Sequence, residues 1–97
     1  MSTRTYNKDM GYSFKEFFRP LPLAFESSAY DVNGRTIHFD AGEGKTINIT
    51  LGVETVRQIA LMAIPLLPVT LELIGYSDDE ANVFMATFDR AYHRGGG

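Results

Sequence analysis

Apolar and polar residues alternate with a period of two in the middle of the chain. From 45 to 51, isoleucine or leucine occupies positions 47, 49 and 51, and threonine or asparagine lies between them. The residues on both sides of Asn33-Gly34 alternate in the same way, and this dipeptide is typical of a two-residue hairpin turn. A second turn at 41–44 follows. The pattern predicts a three-stranded antiparallel meander with one apolar face.

Helical spacing appears first near the N-terminus. Phe14, Phe17 and Phe18 stand at i, i+3 and i+4, which places them on one face of a helix. Ser13 and Glu16 have the spacing of a capping box. This segment therefore predicts a short helix with an aromatic face, which needs tertiary contacts to persist.

The longest helix is predicted at the C-terminal end. Ser77 and Glu80 form a second capping-box pair, and the acidic residues that follow Ser77 suit the positive end of a helix dipole. Apolar residues then recur at helical spacing, so we expect a helix from 78 to about 93. Three glycines at 95–97 end it.

The segment 53–76 is rich in apolar residues, and its pattern is ambiguous. Its first part fits a helix that ends near Ile64, before two prolines. At 69–74 the apolar positions fit either a strand or a helix, but Pro68 at the start and Gly75 at the end favour a helix. We therefore predict two helical segments here.

These elements predict an α+β fold: a short N-terminal helix, the three-stranded antiparallel meander, and then two helical segments packed on one face of the sheet. Residues 1–11 are predicted to be a mobile N-terminal arm, 12–94 a single α+β domain and 95–97 a glycine tail. A chain of 97 residues without cysteine has a thin stability margin, so it needs a well-packed core or a second subunit.

Charge argues against several classes of function. Nine basic and twelve acidic residues give a net charge of −3, which provides no basic footprint for nucleic acid. Residues 58–71 carry no charge, but this run is too short and too rich in proline to span a bilayer. The N-terminus has no apolar signal-peptide region. We expect a cytoplasmic protein that binds neither membranes nor nucleic acid.

No motif predicts catalysis. Gly42–Thr46 ends like a phosphate-binding loop, but Phe39 stands where that motif needs its first glycine, and a strand rather than a helix follows. His38 and His93 have no further ligands at metal-binding spacing. We therefore predict a protein that is not an enzyme and that has no metal and no cofactor.

Two segments are candidates for contact with a protein partner. The aromatic helix and its cations could lie in a partner's groove, although folding back on its own sheet is the favoured interpretation; these residues are Phe14, Lys15, Phe17, Phe18 and Arg19. The uncharged run could form the seam of a homodimer; its candidate residues are Ile59, Met62, Ile64, Leu66 and Leu67.

The leading hypothesis is a non-enzymatic protein-interaction module, a small inhibitor or adaptor of the phage-accessory type. It would bind and occlude a surface of a larger assembly, as a homodimer. The alternative is a protein that binds a small ligand, a nucleotide or a metabolite. Its pocket would lie between sheet and helices or at a dimer interface, with Tyr30, Arg35 and Lys45 as polar contacts.

Overall fold

One antiparallel sheet dominates the computed structural model, which describes residues 2–93. Its strands are β1 (Thr3–Met10), β2 (Asp31–Asn33), β3 (Thr36–Gly42), β4 (Lys45–Leu51), β5 (Thr55–Ile59) and β6 (Met62–Ile74). The strand order is β1-β6-β4-β3-β2, and β5 pairs with the first part of β6. The helices are α1 (Phe14–Phe17), α2 (Leu21–Phe25) and α3 (Asp78–Ala91). The predicted glycine tail lies outside the described residues.

The predicted fold, a short N-terminal helix followed by a three-stranded meander and two helical segments, is wrong. The two helical segments expected within 53–76 are the strands β5 and β6, so the sheet has six strands rather than three. Every second residue from Leu67 to Leu73 is buried, and this part of β6 pairs with β1 on one side and β4 on the other. Two flanking strands satisfy the backbone hydrogen bonds of this apolar segment, which removes the need for a helix.

Within the segment predicted to be a mobile N-terminal region, Thr3–Met10 form the strand β1. This edge strand pairs with β6 from Thr3 opposite Ile74 to Met10 opposite Leu67. Alternate side chains of β1 turn toward α3, where Arg4 pairs with Asp78 and Lys8 lies 3.2 Å from Asp89. The basic N-terminal segment therefore docks on the acidic helix of its own domain.

Both predicted turns are present, with one change in position. Asn33 pairs with Thr36, so the β2–β3 turn is Gly34-Arg35 and not the predicted Asn33-Gly34. Gly34 has a φ of +62°, which a glycine adopts readily at the first central position of a hairpin turn. The predicted alternation in β4 is confirmed, because Ile47, Ile49 and Leu51 are buried.

Three helices cover one face of the sheet. The capping boxes predicted for α1 and α3 are both confirmed, since each serine side chain accepts a backbone N–H and each glutamate reaches back to the cap. The helices bring large apolar side chains onto the sheet, and the fully buried ones include Phe17, Leu21 and Phe88. The core therefore lies between a single helical layer and one sheet face.

No helix within residues 2–93 covers the opposite face of the sheet. Its side chains are mainly threonine, asparagine and acidic residues, as the alternation predicts for the solvated side of an antiparallel sheet. Neighbouring strands are joined there by side-chain hydrogen bonds. Thr70 Oγ1 donates to Asn7 Oδ1 at 3.0 Å, and His38 Nδ1 lies 2.7 Å from Asn48 Oδ1.

Tyr92 ties the end of α3 to the N-terminal helical region. Its hydroxyl donates to the carbonyl oxygen of Phe17 at 2.6 Å, and its own carbonyl oxygen accepts a hydrogen bond from the Tyr12 hydroxyl at 2.9 Å. Burial raises the pKa of the Tyr92 hydroxyl well above its usual value of 10. The folded protein therefore keeps this proton at pH values where the unfolded chain releases it.

This difference predicts a loss of stability in alkali. The pKa of Tyr92 is raised only in the folded state. The stabilisation that this difference provides is therefore complete below about pH 10 and is lost as the pH rises above that value. We expect Tyr92→Phe to lower the free energy of unfolding by about 1 kcal/mol at about pH 8. Between about pH 8 and about pH 11, the free energy of unfolding of this variant should decline less steeply than that of wild type. Urea unfolding at both pH values measures this. Parallel declines in the two proteins would contradict the prediction.

Candidate interaction surfaces

The most exposed apolar element is the hairpin formed by β5 and the first residues of β6, which we call the arm (residues 55–66). All positions from 55 to 63 are exposed, and Leu61 at the turn is fully accessible. Val56 and Met62 are 62% and 63% exposed. The arm thus presents large apolar side chains to solvent rather than to the core.

The arm extends beyond the sheet because the neighbours of β6 end early. β1 ends at Met10 opposite Leu67, and β4 ends at Leu51 opposite Val69. Residues 62–66 consequently pair with β5 alone. Pro65 removes one N–H from this part of β6, which hinders the addition of another strand along that edge.

A cleft of about 440 Å³ lies at the other end of β6. It is bounded by the end of β3, the start of β4, the end of α2 and the first turns of α3. Phe25 and Phe39 stack with their ring centroids 4.4 Å apart, and the Phe84 ring lies 6.2 Å from that of Phe25. Val83, which is 68% exposed, also lines the cleft. Its interior is therefore aromatic and apolar.

The rim of the cleft is acidic. Three carboxylates line it, those of Glu26, Asp79 and Glu80, against one cation, Lys45. Lys45 Nζ lies 2.9 Å from Glu80 Oε2, so this cation is paired. Among residues 2–93, no ion pair involves Glu26 or Asp79. A cationic partner would therefore meet two carboxylates that Lys45 does not compensate.

The capping box of α3 determines the charge state of Glu80. The backbone N–H of Ser77, the Lys45 ammonium and the Ser77 hydroxyl all stabilise the carboxylate, in that order of importance, and hold its pKa at about 2. The pKa of Lys45 is raised, chiefly by its hydrogen bond to Glu80. Burial raises the pKa of Tyr76, which lies beside this pair. The pair is thus charged across the ordinary pH range.

The predicted aromatic helix folds back on its own domain. Phe17 is fully buried in the core, and Phe14 and Phe18 are half-buried against it. The Arg35 guanidinium lies 5.2 Å from the centre of the Phe14 ring. Of the five residues proposed for partner contact, Lys15 and Arg19 are exposed. The aromatic face is therefore largely taken up by packing within the chain.

The residues of the predicted dimer seam fall into three groups. Ile59 and Met62 pair at the end of the arm and are exposed. Ile64 and Leu66 are half-buried nearer its base. The prediction for Leu67 is corrected, because its side chain is fully buried and cannot contact a partner. Leu67 is buried because its side chain belongs to the core between the sheet and the helices.

The three residues proposed for ligand binding do not come together. Lys45 lines the cleft, whereas Arg35 donates to the carbonyl oxygen of Gly52 at 2.7 Å, at the far end of β4. β4 separates these two positions by about 20 Å. Tyr30 packs against Phe25, with ring centroids 5.6 Å apart, but does not line the cleft. The predicted constellation is therefore dispersed.

The cleft is not visible in the sequence because its walls come from separate segments of the chain. One local signal was available: Val83 lies on α3 between residues of the apolar stripe and the polar face, and an extra apolar residue there marks a surface that needs cover. The arm was recognised as an apolar segment, but as a helix and not as a hairpin.

Within residues 2–93, no group of three or more histidine, cysteine or acidic side chains is arranged to hold a metal ion. None of the helices in that part of the chain has the length and apolar character needed to cross a bilayer. Comparisons of the chain with protein-family models, curated proteins and solved structures found no match. The two surfaces themselves are therefore the basis for a functional proposal.

Proposed function

We propose that this protein is a non-enzymatic interaction module that attaches to a protein partner through the arm. The observation that carries the proposal is the exposure of Val56, Ile59, Leu61 and Met62 on one protruding hairpin. Covering apolar surface is favourable by about 25 cal/mol per Å², so a partner that buries these side chains gains affinity directly. A small inhibitor or adaptor acts through such a contact with a protein partner.

Two physical arguments support a bound state for the arm. An isolated two-stranded hairpin is only marginally stable in water. In the described part of the chain, residues 62–66 pair with no strand except β5. Ile59 and Met62 also pair on one face of the arm, and large exposed apolar patches commonly mark interaction sites. Contact with a partner would both order the arm and cover its side chains.

Site-specific photocrosslinking tests this function without disturbing the fold. A photoreactive amino acid placed at position 61 is expected to give a covalent protein adduct in the cells that naturally produce the protein. The matched control is the same substitution at Val32, which is 49% exposed on β2. Mass spectrometry identifies the adduct. If position 61 gives no protein adduct, or no more than position 32, the arm is not the contact element.

A further inference from the structure

We infer that the partner of the arm is a second copy of this chain, whose aromatic cleft receives the end of the arm. This inference rests on the proposed function and names the occupant of the surface described there. Three observations carry it: the placement of arm and cleft, their apolar chemistry and their opposite charges.

The arm and the cleft lie at opposite ends of β6. The turn of the arm immediately precedes Met62, whereas Lys45 and Tyr76 of the cleft lie beside Ile74. Thirteen residues of extended strand span about 40 Å, and the longest dimension of the molecule is 48 Å. The arm therefore cannot reach the cleft of its own chain. Two copies turned by 180° bring each arm beside the other's cleft, which closes the assembly as a dimer.

The apolar surfaces are matched in kind and size. The end of the arm offers Ile59, Leu61 and Met62, and the cleft offers the half-buried rings of Phe39 and Phe84. Methionine sulfur makes favourable contacts with aromatic rings. A volume of about 440 Å³ lies within the range of about 300–1,000 Å³ that binds drug-sized groups. The cleft can thus accommodate several apolar side chains of a hairpin end.

The charges of the two surfaces are complementary. Arg57 is the only charged residue between Glu54 and Glu72, so the arm carries one positive charge. It forms no ion pair within residues 2–93, and neither do the rim carboxylates of Glu26 and Asp79. Such complementarity steers encounter and favours this pairing over a contact between two arms, which would place like charges together.

The test uses one defect on each surface. The arm variant is Leu61→Asp with Met62→Asp, and the cleft variant is Val83→Lys. All three substitutions are at exposed residues, so they leave the core intact. Matched controls are Val32→Asp for the arm and Asn82→Lys, an exposed neighbour on α3, for the cleft. Sedimentation velocity measures association, and far-UV circular dichroism confirms that each variant is folded.

Wild type is expected to self-associate, and each defective variant is expected to raise the dissociation constant at least about tenfold. The two controls should associate like wild type. An equimolar mixture of the arm variant and the cleft variant should restore a one-to-one complex, because one intact arm then faces one intact cleft. A contact between two arms would not show this complementation.

The inference is overturned if wild type remains monomeric, if Val83→Lys associates like wild type, or if the mixture shows no recovery. These outcomes are distinguishable from failure of the proposed function. A crosslink from position 61 to a different protein would support the interaction module and reject the second copy as its partner. No adduct at position 61 would reject both.

Discussion

Replacing Phe17 by alanine is expected to lower the free energy of unfolding by about 3–5 kcal/mol. The side chain is fully buried, and its ring stacks on that of Tyr92 with centroids 4.9 Å apart. The substitution removes apolar volume from the centre of the core and leaves a cavity beside Tyr92. A domain of this size has a total stability of about 5–15 kcal/mol, so the loss is a large share of it. Urea unfolding followed by circular dichroism measures the change.

The control for this prediction lies on the same helix. Lys15 is exposed, and Lys15→Ala should change the free energy of unfolding by no more than about 0.5 kcal/mol. If Phe17→Ala does not fold, Phe17→Leu keeps most of the volume and should show a smaller loss of the same sign. A loss below about 1 kcal/mol for Phe17→Ala would show that this aromatic face is not part of the core.

Gly75→Ala should cost at least about 3 kcal/mol, because two penalties act together. Gly75 has a φ of +81°, a conformation that alanine adopts at a cost of about 1–2 kcal/mol. A Cβ atom at this position would also overlap the carbonyl oxygen of Gly44. This oxygen belongs to the backbone and the Cβ atom is bonded directly to it, so neither can move aside without displacing the β3–β4 turn or the link from β6 to α3.

Gly42→Ala separates these two penalties. Gly42 has nearly the same φ, +83°, but a Cβ atom there meets no other atom within 4 Å. This variant should therefore show the conformational cost alone, about 1–2 kcal/mol. Urea unfolding and the shift in Tm measure both variants side by side. Equal losses would mean that the close approach of Gly75 to Gly44 does not constrain the fold.

Local chemistry was sufficient to predict the elements that depend on neighbouring residues. The capping boxes at Ser13 and Ser77 use residues three positions apart, and the alternation in β4 repeats every second residue. A turn near Asn33 was likewise visible, although its register differed by one position. These features need no knowledge of the rest of the chain, because their partners lie within a few residues.

The segment 53–76 was not predictable in the same way. Its apolar residues suit a helix or a strand, and the local signals at Pro68 and Gly75 favoured the wrong choice. β6 exists because it pairs with β1, more than 50 positions earlier in the chain, and with β4. A periodicity within one segment carries no information about such pairing. The N-terminal residues were misread for the same reason, since alone they have nothing to pair with.

The candidate surfaces were also predictable only where they depend on neighbouring residues. The uncharged run showed that some apolar segment needs cover, and it contains Ile59 and Met62 of the arm. It could not show that Leu67 is buried, because that burial depends on helices from other parts of the chain that pack on the sheet. The cleft was missed altogether, since its walls come from segments that meet only in the folded chain.

By itself, the sequence determined where the capped helices begin, which face of β4 is apolar, and where the charge-free apolar stretch lies. These outcomes follow from contacts between residues close together in the chain. Only the tertiary structure decided that this stretch forms an arm and a central strand, and that an acidic aromatic cleft lies at the far end from the arm. Those outcomes depend on hydrogen bonds and contacts between distant segments. The free energy of these interactions outweighs the local conformational preference of each segment, and the interactions form only when the segments come together.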